Sequence, residues 1–413
     1  MPGLASRRFV PLFVTQFLGA FNDNLFKTAM LFLITFRLPG VDIKTAATMV
    51  TAAAGVFILP FFLFSGVAGQ VADARDKAVV ARAVKLAEVV ILGVGGIALL
   101  TGSVPLLFAC LFGMGTHSTV FGPVKYAILP QHLAPRDLLT GTGLVEGGTF
   151  VAILLGQIAG GLLPTRAAAG VMLVVALAGV VASRLIPPAP PAAGAPPIDW
   201  NPVTASSRVL RESLRIRAIW HATLAISWFW ALGAIFTSAF VPLVKGSLHA
   251  SEAVATLFLA VFTVGIASGS VAVGRLLGGH VSARAAPWAA AAMAAASVSL
   301  IFTIRDGGTI VGGHGDVMAF VASPAAWPIL LALFVLAFAG GVFSVPLYAI
   351  LQTAGGAATR SGAVAANNIV NAAFQVGGTL IAGAAVAAGV PIVTVLAATG
   401  ASALFVIPLL RRL

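Results

Sequence analysis

Long apolar runs broken at fairly regular intervals by short polar turns dominate the chain. Twelve of them come near the ~20 residues a helix needs to cross a bilayer. They cover residues 9–36, 46–68, 78–100, 104–126, 137–162, 167–186, 218–243, 252–277, 285–304, 326–349, 361–389 and 391–410. Between the sixth and seventh stands PPAPPAAGAPPIDWNP, Pro187 to Pro202, which cannot continue a helix and has the composition of a semi-rigid spacer. A short segment follows with Arg208, Arg211 and Arg215 on one face and Leu210 and Leu214 on the other. It is expected either to lie along the membrane surface or to form a solvated linker helix. The pattern predicts an all-α polytopic membrane protein. Residues 1–186 form an N-terminal six-helix bundle, 187–217 a Pro-rich linker with a basic helix, and 218–413 a C-terminal six-helix bundle.

Polar residues inside these runs are costly and therefore informative. In the first run, QFLGAFNDNLFK from Gln16 to Lys27 puts Gln16, Ala20, Asp23 and Lys27 on one helical stripe with Asn24 beside it. A charged side chain near the middle of a span costs roughly 2.5–3.5 kcal/mol and normally faces a bundle interior or a wet cavity. Asp23, Asn24 and Lys27 are therefore expected to line a transport path; the alternative is that Asp23 and Lys27 neutralise each other and only fix packing.

Composition agrees with the pattern. Of 413 residues 59% are hydrophobic and 9% charged, against about 25% charged in soluble domains. The mean hydropathy is +1.05. The net charge of +12 is dispersed rather than clustered, which argues against a nucleic-acid partner and for the positive-inside rule. Of the 24 Lys and Arg, only Arg37, Lys44, Arg166, Lys245 and Arg305 fall on the side opposite the linker, and Lys27 lies within a span. Both termini and the linker are accordingly expected in the cytoplasm. The single Cys110 excludes an intrachain disulfide and a multi-cysteine metal site. Arg7 and Arg8 before an apolar stretch imitate a signal peptide, but without a small-x-small cleavage site this reads as an uncleaved first helix.

The two sides of the linker are related. FGPVKYAIL (Phe121 to Leu129) matches FSVPLYAIL (Phe343 to Leu351), and the chain's two tyrosines, Tyr126 and Tyr348, both fall there. LVEGGTF (Leu144 to Phe150) loosely matches IVNAAF (Ile369 to Phe374). Six helices repeated as six, with a linker between, is the arrangement of the major facilitator fold. Between the second and third segments, GQVADARDK (Gly69 to Lys77) resembles the gating loop of that fold. Gly69 permits close helix approach, and Asp73 is placed to cap a neighbouring helix and pair with Arg75 or Lys77. The equivalent in the second half, Gly274 to Arg284, has no acid.

Taken together, QFLGAFNDNLFK, FGPVKYAILPQHL, GLVEGG (Gly143 to Gly148), ISWFWALGA (Ile226 to Ala234) and AANNIVNAAFQV (Ala365 to Val376) resemble the bacterial lysophospholipid transporter family of the major facilitator superfamily. That resemblance implies movement of lysophospholipid, such as lysophosphatidylethanolamine, from the outer to the inner leaflet of the bacterial inner membrane by alternating access. It also implies a separate acyltransferase and acyl-carrier-protein synthetase as a partner, since no fused enzyme is expected after Leu413, where the sequence ends. No cofactor or metal is implied, and a monomer is expected. A facilitator of another amphipathic solute or drug is the alternative, and a membrane-embedded acyltransferase a further one. The family blocks argue against the former. The Gln157 in GQIAGG, where proton-coupled exporters carry Pro, argues against an exporter.

A lysophospholipid presents a phosphate, often an amine, and one acyl tail. Lys125, replaced by Leu347 in the repeat, is expected to attract the phosphate with help from His117, two turns earlier. Glu146, replaced by Asn371 in the repeat, either receives the amine or balances Lys125. Asn367, Asn368, Asn371 and Gln375 make an amide stripe. For each there is a plain structural alternative: snorkelling for Lys125, a packing hydrogen bond for His117, an ion pair for Glu146 and helix glue for the asparagines. Lys85 and Glu88 read as an interfacial pair. His132 and Asp137 imitate an acyltransferase spacing but lack a strand and a phosphate-binding segment. His314 and Asp316 in the Gly-rich loop are too few for a metal site.

Overall fold

The computed structural model describes residues 4–38, 42–195, 197–307 and 316–413, and these form helices joined by short turns, without a β-strand. The helices are α1 (Val10–Phe36), α2 (Ile43–Ala74), α3 (Lys77–Thr101), α4 (Val104–His132), α5 (Pro135–Leu162), α6 (Thr165–Arg184), α7 (Pro202–Leu214), α8 (Arg217–Gly246), α9 (Glu252–Leu276), α10 (Ala286–Gly307), α11 (Val317–Ala322), α12 (Ala326–Thr353), α13 (Arg360–Ala387), α14 (Ile392–Ala401) and α15 (Ala403–Leu410). Every predicted apolar segment coincides with one of these helices, the last with the pair α14 and α15. Eleven described spans are long and apolar enough to cross a membrane. The twelfth, α1, has 27 residues, about 40 Å at 1.5 Å per residue, but Asn22, Asp23, Asn24 and Lys27 dilute its hydropathy. Local signals start the helices: Asp42 accepts from Thr45 N at 2.6 Å, Asp76 from Ala78 N at 2.8 Å, and prolines open α1, α4, α5 and α7.

Packing divides the chain into two compact units, Met1–Ile219 with Leu351–Ile369, and Trp220–Ile350 with Val370–Leu413. In the first, α1 packs on α5 and α6, α2 on α4, and α3 on α4 and α6. Leu25, Phe26, Met30, Leu92, Leu111 and Met172 are in its core. Glycines set the closest approach. A Cβ on Gly160 would stand 2.6 Å from Leu25 O, and one on Gly156 would collide with Phe21 O. Gly160→Leu is therefore expected to force α1 and α5 apart and to lower the thermal stability of purified protein by about 1–3 kcal/mol, the range for overpacking; an unchanged melting curve would contradict this contact. In the second unit Phe236, Phe240, Phe258 and Phe262 form an aromatic cluster. There Gly265 and Gly269 admit the backbone of α12 at Phe334 and Phe338.

The Pro-rich linker is tied down rather than free. Lys77 N donates to Ala189 O at 2.9 Å, Ala189 N to Asp76 at 3.2 Å and Arg82 to Ile186 O at 2.9 Å. The two ring nitrogens of His132 lie 3.1 Å from Arg8 O and 3.3 Å from Pro188 O. A chain without its own ladder satisfies its backbone on the neighbouring helix ends. Asp199 accepts from Thr204 Oγ1 at 2.6 Å and Asn201 N at 3.0 Å, bonds that hold its carboxyl below the ordinary range. Helix α7 buries Ala205, Val209 and Ser213. Its backbone at Ser206 reaches Gly66 of α2, while Val209 packs on Ala365 and Ala366 at the start of α13.

Candidate functional site

The polar side chains sunk in the first unit gather in three neighbouring groups. The deepest centres on Glu88. Its Oε2 is paired with Lys85 Nζ, one helical turn away, and both side chains are wholly buried. His117 Nε2 of α4 lies 3.0 Å from the same oxygen. Asn22 Nδ2 of α1 donates to Glu88 Oε1 at 3.0 Å and to Met172 O of α6 at 3.0 Å. Room for the lysine comes from absent side chains, since a Cβ on Gly179 would stand 2.8 Å from its Nζ and one on Gly19 3.4 Å. This corrects two expectations. Lys85 and Glu88 are paired but not interfacial, because α3 begins at Lys77 and Lys85 is eight residues in, roughly 12 Å along the axis. His117 joins Glu88 rather than assisting Lys125, since eight residues at 100° each leave the two side chains about 80° apart around α4.

The second group is Asp23. Its Oδ2 accepts from Ser118 Oγ, and its buried Oδ1 has no hydrogen-bond partner among the described residues. Lys27 does not pair with it: no described carboxylate comes within 4.0 Å of the ammonium, which lies 5.2 Å from the centroid of the Phe57 ring. Asn24 is corrected as well. Its Nδ2 donates back to Ala20 O at 2.9 Å, and its side chain faces Gly156 of α5, because one residue past Asp23 turns it some 100° off the polar stripe.

The third group is Lys125, Tyr126 and Glu146. The Tyr126 hydroxyl donates to Glu146 Oε1, while Glu146 Oε2 is buried and unpartnered among the described residues. Lys125 is half-buried, 4.8 Å from the Tyr126 ring centroid, and lies in the field of Glu146 and Asp23. Asp23 in turn feels His117, Glu88 and Lys85, so it stands electrostatically between the neutralised Glu88 group and Lys125, which has no ion pair among the described residues. Nearby, Thr149 donates to Gln16 Oε1 at 2.8 Å.

The asparagine stripe is shared out. Asn367 is fully buried with both amide atoms unpartnered among the described residues, and Asn368 Nδ2 approaches Gly122 of α4, 3.1 Å from where a Cβ would be. Asn371 belongs to the second unit and accepts from Ser227 Oγ at 2.6 Å. There Tyr348, the repeat partner of Tyr126, accepts from Trp230 Nε1 at 2.7 Å.

At the gating loop Asp73 Oδ1 and Oδ2 accept from Ser361 N and Gly362 N, each at 2.9 Å, and so cap α13. A Cβ on Gly69 would meet Ala365 Cβ at 2.6 Å. Neither Arg75 nor Lys77 pairs with Asp73, which corrects that expectation. Both carboxylate oxygens are committed to backbone donors; Arg75 is exposed, and the Lys77 ammonium is buried without a hydrogen-bond partner among the described residues. His132 ends α4 with its ring nitrogens against backbone carbonyls, and Asp137 lies in the first turn of α5. His314 lies outside the described residues, and Asp316 caps α11 through Ala319 N at 2.9 Å. No group of three or more metal-binding side chains occurs among the described residues. Sequence reasoning passed over Asn22, Ser118 and the depth of Glu88; an acid and a base at i, i+3 within an otherwise apolar helix mark the pair but not how deep it lies.

The sequence profile of the Major Facilitator Superfamily matches residues 12–378. The chain is similar to the lysophospholipid transporter LplT of Cronobacter sakazakii (strain ATCC BAA-894), 30% identical over 89% of this chain and 85% of the relative. LplT of Serratia proteamaculans (strain 568) is 29% identical over 89% and 85%. Among solved structures, the human organic anion transporter MFSD10 (TETRAN) superposes with a TM-score of 0.73 at 16% identity, over 97% of this chain and 99% of that one. A bacterial homologue of the iron transporter ferroportin in an outward-facing state gives 0.68 at 14%, over 97% and 100%. At such identities the structural likeness establishes the fold alone.

Proposed function

This chain belongs to the lysophospholipid transporter family of the major facilitator superfamily, and from that premise we propose that it carries lysophospholipids, such as lysophosphatidylethanolamine, from the outer to the inner leaflet of a bacterial inner membrane by alternating access. It is a multi-pass transporter rather than an enzyme. Reacylation of the delivered lipid then falls to a separate acyltransferase on the side of the linker and termini, a cytoplasmic placement that the concentration of Lys and Arg there supports.

One observation carries the assignment of the site. The Glu88 group is buried and internally neutralised, whereas Lys125 and Asp23 are each only part-buried and make no ion pair within 4.0 Å among the described residues. Charge kept unpaired at membrane depth is costly unless a ligand or water meets it. In this proposal Lys125 takes the phosphate, Asp23 takes the amine with Glu146 behind it, and the tail stays in hydrocarbon.

The test is leaflet-resolved transfer of labelled lysophosphatidylethanolamine in proteoliposomes. A charge-assisted hydrogen bond is worth about 1.5–3 kcal/mol, so Asp23→Asn and Lys125→Gln are each expected to slow transfer by about tenfold or more while the protein still folds. Undiminished transfer in both would remove these residues from the site. If wild-type protein moved a soluble drug but no lysolipid, the substrate class itself would be wrong.

A further inference from the structure

We propose that the first unit holds a second lysophospholipid station at the linker end of α2 and α3, separate from the Asp23 and Lys125 region. It is a groove for the single acyl chain with Arg75 at its mouth for the phosphate. The proposal rests on the transport reading above.

The groove has a volume of about 660 Å³ and is apolar except at one end. Val71 of α2 forms one wall, Val120 of α4 contributes from behind, and Val79, Ala83 and Ala87 run along α3. Those three are spaced i, i+4, i+8 and so make one stripe, in which the two alanines leave the furrow. From Val79 to Ala87 the helix rises roughly 12 Å, close to half of the ~30 Å hydrocarbon core. The length suits a tail lying within one leaflet.

The mouth is formed by Arg75 and Asp76, and their charges are not equivalent. Asp76 is already engaged: its Oδ1 accepts from Ala78 N at 2.8 Å, and both oxygens accept from Ala189 N at 3.2 Å. Arg75 is exposed, and its guanidinium makes no ion pair or hydrogen bond with any described residue. The free charge is therefore positive and forked, matching a phosphate. The stripe is one chain wide and its free charge suits a phosphate, and the transport reading supplies a one-tailed, phosphate-bearing lipid, so the proposal commits to the lysolipid as occupant.

The experiment uses the whole protein in nanodiscs of phosphatidylethanolamine and phosphatidylglycerol, with a lysophosphatidylethanolamine probe carrying a photoreactive diazirine in its tail. Labelled peptides are mapped by mass spectrometry. Label is expected on Val79 to Ala87. It should fall at least about tenfold in Ala83→Trp, which fills the furrow from an exposed position, and by a similar factor in Arg75→Gln, which removes the phosphate partner. Label that persists in Ala83→Trp, or equal labelling by a diacyl probe, would overturn the station. Label confined to peptides around Asp23 and Lys125 would overturn it while leaving the transport reading intact. Label at neither place would count against both.

Discussion

Glu88→Ala is expected to leave little folded protein in the membrane, whereas the double change Lys85→Met with Glu88→Leu is expected to restore it. The reason is the geometry of the pair. Lys85 and Glu88 have no exposed side-chain surface, and the carboxylate also answers Asn22 and His117. Removing the acid strands an ammonium among apolar helices. Breaking a buried pair in this way costs about 3–5 kcal/mol, a large part of the roughly 5–15 kcal/mol that holds a domain together. Replacing both partners by apolar groups removes the stranded charge, and such replacements are often neutral or stabilising. Glu88→Gln should fall between, since its amide oxygen can still accept from Asn22 but cannot neutralise Lys85. Size-exclusion profiles and melting curves of the four proteins in detergent would check the order. A Glu88→Ala protein as stable as wild type would mean that the pair contributes nothing to the fold. Transport by the double variant then asks a separate question. Asp23 lies in the field of this group, so a stable but inactive double variant would assign the group to tuning Asp23 rather than to folding.

The architecture was legible because the bilayer imposes a minimum run length, and a run of that length with a capping residue before it has few other fates. Asp42 ahead of α2 and Asp76 ahead of α3 are such cases. Asp73 could also be read from its spacing to Gly69, since a glycine permits the approach of α13 that brings Ser361 and Gly362 within reach of the carboxylate. Other features were not legible for definite reasons. An acid and a base at i, i+3 have the same spelling at an interface and in a core, so Glu88 gave no sign of its depth. The angle between His117 and Lys125 decides their partners, and a count of turns blurs it. Composition showed that Pro187 to Pro202 is not a helix, but not that Ala189 would bond to Asp76 and Lys77. The amide stripe looked continuous because helical spacing carries no information about which neighbours each turn meets; Asn371 meets Ser227, while Asn368 meets Gly122.

Asp73→Ala is expected to release the first turn of α13, with a measurable consequence at two amides. Asp73 is 3% exposed, and its carboxylate accepts from Ser361 N and Gly362 N at 2.9 Å each. Two charge-assisted bonds at about 1.5 kcal/mol each, aided by the positive end of the helix dipole, amount to about 3 kcal/mol. That shifts the balance between capped and open arrangements by about a hundredfold. Hydrogen exchange at Ser361 and Gly362, measured in nanodiscs, should accelerate by that factor. Asp73→Asn keeps one acceptor oxygen but turns an N–H₂ toward the second amide, so it should lose about one bond and accelerate exchange by about tenfold. Gly69→Val attacks the same contact from the other side, because its added carbons would press on Ala365, and it should raise exchange at the same two amides without touching the carboxylate. If all three variants exchange like wild type, the cap contributes no stability and cannot act as a latch. If they exchange faster and also move lysolipid more slowly, the capped arrangement is a state that the transport cycle must pass through.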